Sequence, residues 1–198
     1  ALLPAIIRLR DAIQREEGYS QKVRIGAGGG IGTPEAALAT FQMGAAYIVT
    51  GSVNQACMES GSSDYVRKVL AEASQTDVMM APAADMFEMG VELQVLKKGT
   101  LFPIRAKKLY ELYRQYDSIE AIPEKERLKL EKTVFRSSLE DIWQGTVDFF
   151  MQRDPSQIER ANNNPKRKMA LIFRWYLGLS SRWANVGEAG RHMDYQIW

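Results

Sequence analysis

The sequence predicts an α/β fold for its N-terminal part and a mainly helical structure for the rest. Two β-prone runs, residues 23–25 and 45–49, flank one helical pattern over residues 33–44. Each run ends in small residues, and no convincing strand pattern follows residue 89. These three observations favour one strand–helix–strand unit with parallel strands, followed by helices.

The helix between the two strands carries signals at both of its ends. Thr33 stands at the N-cap position, Pro34 at the first helical position and Gly44 just beyond the last turn. Residues 2–14 form a second, amphipathic helical pattern that precedes the strands. The side chains expected to form the core of this part are Ile25, Leu38, Phe41, Met43, Ile48 and Val49.

Small residues follow each of the two predicted strands. Gly29 and Gly30 come after the first strand, and Gly51 and Ser52 come after the second. Glycine lets a ligand reach backbone N–H groups, and a following helix N-terminus adds partial positive charge. The pattern favours a phosphate site at one edge of the sheet, with plain turn glycines as the alternative. No Lys-Ser or Lys-Thr completes a Walker loop, and no acidic residue ends the second strand as a dinucleotide fold requires.

Two parallel strands do not make a sheet that is stable by itself. Parallel sheets bury both faces, and a (β/α)8 barrel needs all of its strands. In such barrels the loops after strands seven and eight often bind phosphate. We therefore predict that residues 1–75 are the last two βα units of a barrel, whose other strands lie in sequence before Ala1 or on a partner chain.

Residues 76–198 are predicted to be a helical extension of this barrel. The helices expected from residue 64 onward cover 64–73, 90–98, 105–116, 123–135, 137–151, a short segment starting near 154, and 166–179. Ser137 with Glu140 forms a possible capping box. Four of the nine methionines fall within residues 77–89, which suits a substrate channel or ordinary packing.

Composition narrows the class of protein. The chain has 198 residues, a net charge of +2 and a single cysteine. One cysteine excludes internal disulfides and cysteine-cluster metal sites, and it fits a reducing cytoplasm. No apolar run reaches the roughly 20 residues of a membrane span, so no membrane association is expected. Nearly balanced charge argues against a nucleic-acid partner, although residues 166–183 interleave basic and aromatic side chains.

Several single residues have a structural interpretation beside a functional one. Cys57 is expected to be small and buried, because no neighbouring His or Lys would activate it. Asp85 and Glu88 are either an acid pair or surface charges, and the single histidine, His192, is expected to be structural. Some of the cations within residues 166–182 suit an acidic partner, while the aromatics between them are expected to pack the extension.

Five segments of the sequence resemble one enzyme family. They are R-I-G-A-G-G-G-I-G-T-P-E-A-A-L-A-T-F-Q-M-G-A-A-Y-I-V-T-G-S-V-N-Q-A-C at residues 24–57, and residues 81–90, 96–103, 108–113 and 164–185. They resemble the trans-acting, FMN-dependent enoyl reductases of polyunsaturated-fatty-acid and polyketide synthases, the PfaD type, in their C-terminal portion. This group belongs with the nitronate monooxygenases on a TIM barrel. The resemblance covers nearly the whole chain.

The resemblance implies a cofactor, a substrate and four binding residues. Gly29 and Gly30 would hold the FMN phosphate after strand seven, and Gly51 and Ser52 after strand eight, with Ser52 where the family has Thr. NADPH or NADH would supply hydride for an enoyl thioester on an acyl carrier protein. The family's catalytic residues lie on earlier strands, so none is assigned here, and no metal is implied.

Three other functions stay open at this stage. A nitronate monooxygenase would share the flavin site and need no thioester. A docking piece would bind a carrier protein without flavin, and a nucleic-acid module would show steep salt dependence. For the enzyme, we expect either a homo-oligomer or completion of the site by the rest of the barrel.

Overall fold

The computed structural model describes residues 2–198 and divides the chain into two compact units. The first unit ends at Ser60, and the second runs from Gly61 to Trp198. The sequence predicted a boundary between residues 75 and 76. In the structure, the helix before that boundary belongs to the second unit, because Val66 lies in one buried cluster with Leu96 and Ile197.

The first unit contains a two-stranded parallel sheet and three α-helices. Its elements are α1 (Leu2–Glu16), β1 (Ala27–Gly28), α2 (Pro34–Gln42), β2 (Ile48–Val49) and α3 (Ser52–Gln55). Ala27 pairs with Ile48 and Gly28 pairs with Val49, in parallel. The predicted order of strand, helix and parallel strand is therefore confirmed, although each strand has only two residues.

The ends of α2 follow the sequence signals. Thr33 Oγ1 accepts a hydrogen bond from the N–H of Ala36 at 3.2 Å, and Pro34 opens the first turn. Gly44 lies just beyond the helix with φ of +97°, in the left-handed region that glycine adopts without penalty. Local chemistry alone thus fixes the crossover between the two strands.

Most large apolar side chains of the first unit face solvent. Leu38 and Val49 each expose 59% of their surface, and Phe41 exposes 46%. Helix α1 has no buried residue, and Thr40 and Ala45 are the buried residues that the structure describes in this unit. The predicted core is therefore wrong for this chain: Leu38, Phe41, Met43 and Val49 are exposed, while Ile25 and Ile48 are half-buried. Two strands of two residues offer too little sheet to cover these faces.

The second unit contains an antiparallel hairpin and six α-helices. Its elements are α4 (Asp64–Ala71), β3 (Val78–Pro82), β4 (Glu92–Leu96), α5 (Phe102–Gln115), α6 (Glu124–Leu130), α7 (Leu139–Met151), α8 (Ser156–Asn162) and α9 (Pro165–Val186). A π-helical turn, Glu131–Phe135, follows α6. Helix α7 is capped by Ser138, whose Oγ accepts from the N–H of Asp141 at 3.0 Å, and not by Ser137 as the sequence suggested.

The predicted helix over residues 90–98 is wrong. Glu92–Leu96 is a strand that pairs antiparallel with β3, with Val78 opposite Leu96. Leu93 and Val95 turn towards the core while Glu92 and Gln94 are exposed, which is the two-residue alternation of a half-buried strand. Pairing with β3 outweighs the local helical spacing of the apolar residues.

Helix α9 is the centre of the second unit. It packs against α5, α7 and α8, and it runs to Val186, beyond the predicted end at residue 179. Gly187, with φ of +71°, ends it. Its buried aromatics join one core, whose aromatic members are Phe87, Phe102, Phe135, Phe173 and Tyr176. A core of this kind is what a self-supporting domain needs.

The C-terminal tail, residues 191–197, folds back onto the hairpin and the start of α5. The N–H of Leu96 donates to the carbonyl of Ile197 at 2.8 Å, and the hydroxyl of Thr100 donates to that of Tyr195 at 2.8 Å. Tyr195 and Ile197 are buried. The tail therefore completes the second unit as a 3-10 turn, His192–Asp194, followed by a short segment whose carbonyls accept from Leu96 and Thr100.

Asp194 anchors this tail to three arginines. Its fully buried carboxylate pairs with Arg105, with Arg136 Nη2 at 3.3 Å and with Arg191 Nη1 at 3.3 Å. The hydroxyl of Tyr176 donates to Asp194 Oδ1 at 2.9 Å. Burial, together with the charge of Asp194, raises the pKa of Tyr176 well above its usual value, so the hydroxyl keeps its proton and remains a donor.

Within residues 2–198, none of the helices combines the length and the apolar character that crossing a membrane requires.

Candidate functional site

The structure brings the four predicted phosphate-binding residues to one edge of the small sheet. Gly29 and Gly30 follow β1 directly, and Gly51 and Ser52 follow β2 after one intervening residue. Because Gly28 is paired in parallel with Val49, the chain leaves both strands at the same edge. The predicted juxtaposition is present, and the binding of phosphate stays a prediction.

The first loop, residues 29–32, presents backbone rather than side chains. Gly29 has φ of +91° and Gly30 has φ of +69°, a region in which other residues are strained. A Cβ placed on either glycine would meet no atom within 4 Å. The N–H of Gly30 makes no loop or turn hydrogen bond to a backbone carbonyl within residues 2–198. The loop therefore leaves open space beside its backbone.

The second loop, residues 50–52, is held in shape by Asn54. Its Nδ2 donates to the carbonyl of Thr50 at 3.2 Å, and the Thr50 hydroxyl donates to Asn54 Oδ1 at 3.1 Å. Gly51 precedes the first turn of α3, and a Cβ there would meet nothing within 4 Å. Asn54 was not predicted from the sequence, although Thr and Asn four residues apart at a helix start are a recognisable signal.

Gly26 has a packing role that was not predicted from the sequence either. A Cβ on Gly26 would lie 2.2 Å from the ring of Tyr47, which is closer than any real contact. Tyr47 precedes β2, and its carbonyl accepts from the N–H of Ala27 at 3.1 Å. The glycines before and after β1 thus differ in role: Gly26 makes room for a neighbouring ring, while Gly29 and Gly30 leave space unfilled.

The N-terminus of α2 contributes less positive charge than its position after the glycine loop suggests. Thr33 caps it, and Glu35 stands in its first turn. A hydrogen bond from the backbone N–H of Glu35 itself, followed by one from Thr33, lowers the pKa of the Glu35 carboxyl. An ionised carboxylate at this end offsets the helix dipole. The loop N–H groups are therefore the stronger part of the candidate anion site.

Other residues singled out in the sequence take structural positions. His192 packs its ring against Tyr65 and Tyr195, at 4.8 Å and 5.1 Å between centroids. Cys57 is exposed, so the expectation of a buried thiol is wrong, because the short turn after α3 does not cover it. Glu88 pairs with Arg174 at 3.6 Å, which favours its interpretation as an ion-paired surface charge. Residues 2–198 hold no group of three or more His, Cys, Asp or Glu arranged to bind a metal.

Part of the second unit matches a known domain family. Residues 116–195 match the inserted helical domain of the acyl-carrier-protein S-malonyltransferases. The matched segment contains α6 to α9 and most of the tail, and it includes neither glycine loop.

Over its whole length, the chain is similar to parts of larger synthase proteins. One of the polyunsaturated fatty acid synthase subunits of Thraustochytrium sp. is 58% identical over 201 residues, which is 100% of this chain and 13% of that protein. The polyketide biosynthesis protein PksE of Bacillus subtilis is 48% identical over 197 residues, which is 100% of this chain and 25% of that protein. The chain thus spans a quarter or less of the length of these two relatives.

A solved structure shares the fold. The enoyl reductase domain of MlnA, from the macrolactin biosynthesis cluster of Bacillus amyloliquefaciens, superposes with a TM-score of 0.90 at 40% sequence identity. The match covers 98% of this chain and 44% of that chain. The relatives are therefore proteins of polyunsaturated fatty acid and polyketide synthesis, and the structural neighbour is an enoyl reductase domain.

Proposed function

We propose that this chain is the FMN-phosphate-binding end and helical region of an enoyl reductase. Its substrate is an α,β-unsaturated thioester on an acyl carrier protein, in polyketide or polyunsaturated fatty acid synthesis. The relatives and the enoyl reductase neighbour support the biosynthetic setting. The cofactor and the trans-acting PfaD type are the finer part of the proposal.

The observation that carries the proposal is the pair of open loops at one sheet edge. Gly29, Gly30 and Gly51 leave space where a Cβ would stand, and the Gly30 N–H makes no loop or turn hydrogen bond to a backbone carbonyl within residues 2–198. Phosphate oxygens accept several N–H bonds in such concavities. Ser52 adds a hydroxyl next to Gly51, so the donor set fits a phosphate monoester such as that of FMN.

When bound, FMN supplies hydride transfer, from NADPH or NADH to the β-carbon of the enoyl thioester, with a proton added at the α-carbon. The residues of this chain have a binding role in that scheme. The two loops hold the phosphate end, and the left-handed turn at Gly29 and Gly30 fixes the direction of their N–H groups.

The proposal also accounts for the exposed apolar side chains of the first unit. A parallel βα pair buries both faces only within a larger sheet. We infer that β1 and β2 are the last two strands of a (β/α)8 barrel, and that further strands cover Leu38, Phe41 and Val49. The complete site then needs the rest of the barrel, or an oligomer of it, and we place the enzyme in the cytoplasm.

The experiment is a measurement of flavin content in the natural polypeptide that carries these residues. Released flavin is identified after denaturation, for the parent protein and for two glycine variants. Gly30→Val fills the first loop and should lower bound FMN at least tenfold. Gly18→Val is the matched control, because Gly18 also has positive φ, +65°, and open space around its Cβ position, but lies outside both loops.

Each result has a defined meaning. Equal flavin content in the Gly30 and Gly18 variants would contradict the phosphate assignment. Absence of flavin from the parent would remove the reductase and leave a docking piece. Oxygen-dependent turnover of a nitronate without reduction of an enoyl thioester would instead indicate a nitronate monooxygenase.

A second candidate function is malonyl transfer to an acyl carrier protein. It is favoured by one observation, the match of residues 116–195 to the inserted helical domain of malonyltransferases. Transfer of labelled malonyl from malonyl-coenzyme A to a carrier protein tests it directly. Transfer that disappears in a variant of the matched segment, with flavin content unchanged, would support this candidate against the reductase.

A further inference from the structure

An apolar groove of about 510 Å³ lies between α7 and α9 in the second unit. Its floor and walls are mostly carbon, and the residues used below are Phe149, Phe150, Leu171, Trp175 and the glycines Gly145 and Gly178. Phe149 exposes 49% of its surface although it is a large aromatic residue. A concave apolar site of about 300–1,000 Å³ is the usual size for a small-molecule ligand.

Two glycines keep the groove open. Gly145 lies inside α7 and Gly178 inside α9, and a Cβ on either would meet no atom within 4 Å. Neither has positive φ, so neither is required by the backbone. Glycine inside a helix is destabilising relative to alanine. Both helices therefore carry a less stable residue at a position that faces empty space in the groove.

The charges along the groove are predominantly positive. Arg174 and Arg182 line it, together with one acid, Asp85. Arg153 lies over the ring of Phe149, with 3.9 Å between its guanidinium carbon and the ring centroid. Arg174 has a partner in Glu88 at 3.6 Å, whereas no ion pair or hydrogen bond of the Arg182 side chain exists within residues 2–198.

These observations select an occupant with an apolar body and an anionic end. An acidic protein helix would place several carboxylates against an apolar lining that offers two arginines, one of them already paired with Glu88. A polynucleotide would meet an apolar floor, with few cations at the rim to neutralise its many phosphates. A single alkyl chain fills the apolar part of the groove, and a phosphate at the far end of a long flexible arm reaches Arg182 at the rim.

We propose that this groove binds the acyl chain of a carrier-protein thioester, with Arg182 on the phosphate of the phosphopantetheine arm. The proposal rests on the proposed function for its substrate class. The groove belongs to the segment that matches the malonyltransferase inserted domain, apart from residues 84 and 85. That match is consistent with a site for carrier-bound acyl groups.

Isothermal titration calorimetry measures the binding of three probes to the natural polypeptide that carries these residues. Any acyl chain on a probe is saturated, so an enoyl reductase cannot reduce it. The probes are decanoyl-phosphopantetheine, decanoyl-pantetheine without the phosphate, and phosphopantetheine without the acyl chain. Gly178→Leu fills the groove and should weaken both acyl probes at least tenfold. Arg182→Gln should weaken the phosphorylated acyl probe about tenfold and the unphosphorylated one less than about twofold.

Matched controls separate the groove from general effects. Asn185→Leu adds the same side chain to an exposed position on the same helix, and Arg114→Gln removes an exposed arginine on α5; both should bind as the parent does. If Gly178→Leu perturbs folding by circular dichroism, Gly145→Leu takes its place. Parent-like binding in the leucine variant, or equal binding with and without the acyl chain, would overturn the proposal.

A comparison of decanoyl carrier protein with decanoyl-coenzyme A tests which of the two delivers the acyl chain to the groove. Tighter binding of the carrier-borne chain is expected, and preference for the coenzyme A form would contradict the carrier assignment. These titrations can contradict the acyl-groove proposal without contradicting the proposed function. Flavin content and enoyl reduction test the first unit, whereas these titrations need neither flavin nor turnover.

Discussion

Phe173 in the second unit is completely buried, whereas Phe41 in the first unit exposes 46% of its surface. The residues around these two phenylalanines differ in burial in the same way. Phe173 belongs to an aromatic core with Phe87, Phe135 and Tyr176, while Phe41 lies on a helix with one buried residue, Thr40. The difference teaches that the second unit carries its own core, whereas the first unit leaves its large apolar side chains exposed.

The largest expected effect is a test of this contrast. Phe173→Ala should lower the free energy of unfolding by about 3–5 kcal/mol, because it leaves a cavity in a closed core. Phe41→Ala should change it by less than about 1 kcal/mol. All four tryptophans, at positions 143, 175, 183 and 198, lie in the second unit, so urea denaturation followed by tryptophan fluorescence reports on that unit. Equal shifts for the two variants would refute the contrast.

The next effect concerns the buried charge in the second unit. Asp194→Ala should cost about 3 kcal/mol, because it leaves the Tyr176 hydroxyl without its acceptor and three arginines without their shared carboxylate. Asp117→Ala is the matched control. Asp117 also pairs with a cation, Lys166 at 3.5 Å, but it is fully exposed, so its loss should leave the transition unchanged. A comparable loss in both variants would show that the Asp194 cluster contributes nothing special.

A smaller effect is expected where the first unit is tightly packed. Gly26→Ala should destabilise that unit by about 1–3 kcal/mol, because the new methyl group overlaps the Tyr47 ring. Hydrogen exchange at the amide of Ala27, which donates to the Tyr47 carbonyl, reports the change. Replacing Tyr47 by Ala in the same chain should restore much of the protection. Persistent loss in the double variant would mean that the ring is not the cause.

The smallest expected effect is the response to acid, which should be alike in the two units. Hydrogen bonds from Ser156 and Gln157 lower the pKa of Asp154 in the second unit below its ordinary value of 3.8. In the first unit, hydrogen bonds at the start of α2 lower the pKa of Glu35. A carboxyl whose pKa is lower in the folded protein stabilises the fold at pH values above its ordinary pKa. This contribution is lost as the pH falls through the pKa of the folded protein. Asp154→Asn should therefore flatten the decline of the thermal midpoint below about pH 4, and an unchanged profile would count against this account.

The parts of the fold that the sequence predicted are those governed by neighbouring residues. Thr33, Pro34 and Gly44 mark the limits of α2 without help from the rest of the chain. The glycine loops were found for the same reason, since each follows its strand directly. Asn54 carried a similar local signal, through its spacing of four residues from Thr50, although it was not predicted.

The parts that were missed depend on residues far away in the chain. Strand β4 forms because β3 and the tail supply its partners, which a local helical spacing does not reveal. Asp194 meets Arg105 across 89 positions, so no motif connects them. An apolar pattern shows which side chains favour burial, but it does not show which element packs over them. For this reason Phe41 was expected in a core.

The tail sets a condition on how the second unit is made. During synthesis, residues 78–96 emerge as a hairpin long before residues 191–197 have been translated. Until then, β4 lacks the carbonyl of Ile197, and the sites of Tyr195 and Asp194 stand empty. The cluster of Val66, Leu96 and Ala184 therefore closes only after residues 191–197 have left the ribosomal tunnel. A chain that stalls before the tail would expose Val66, Leu96 and Ala184 to chaperones and proteases.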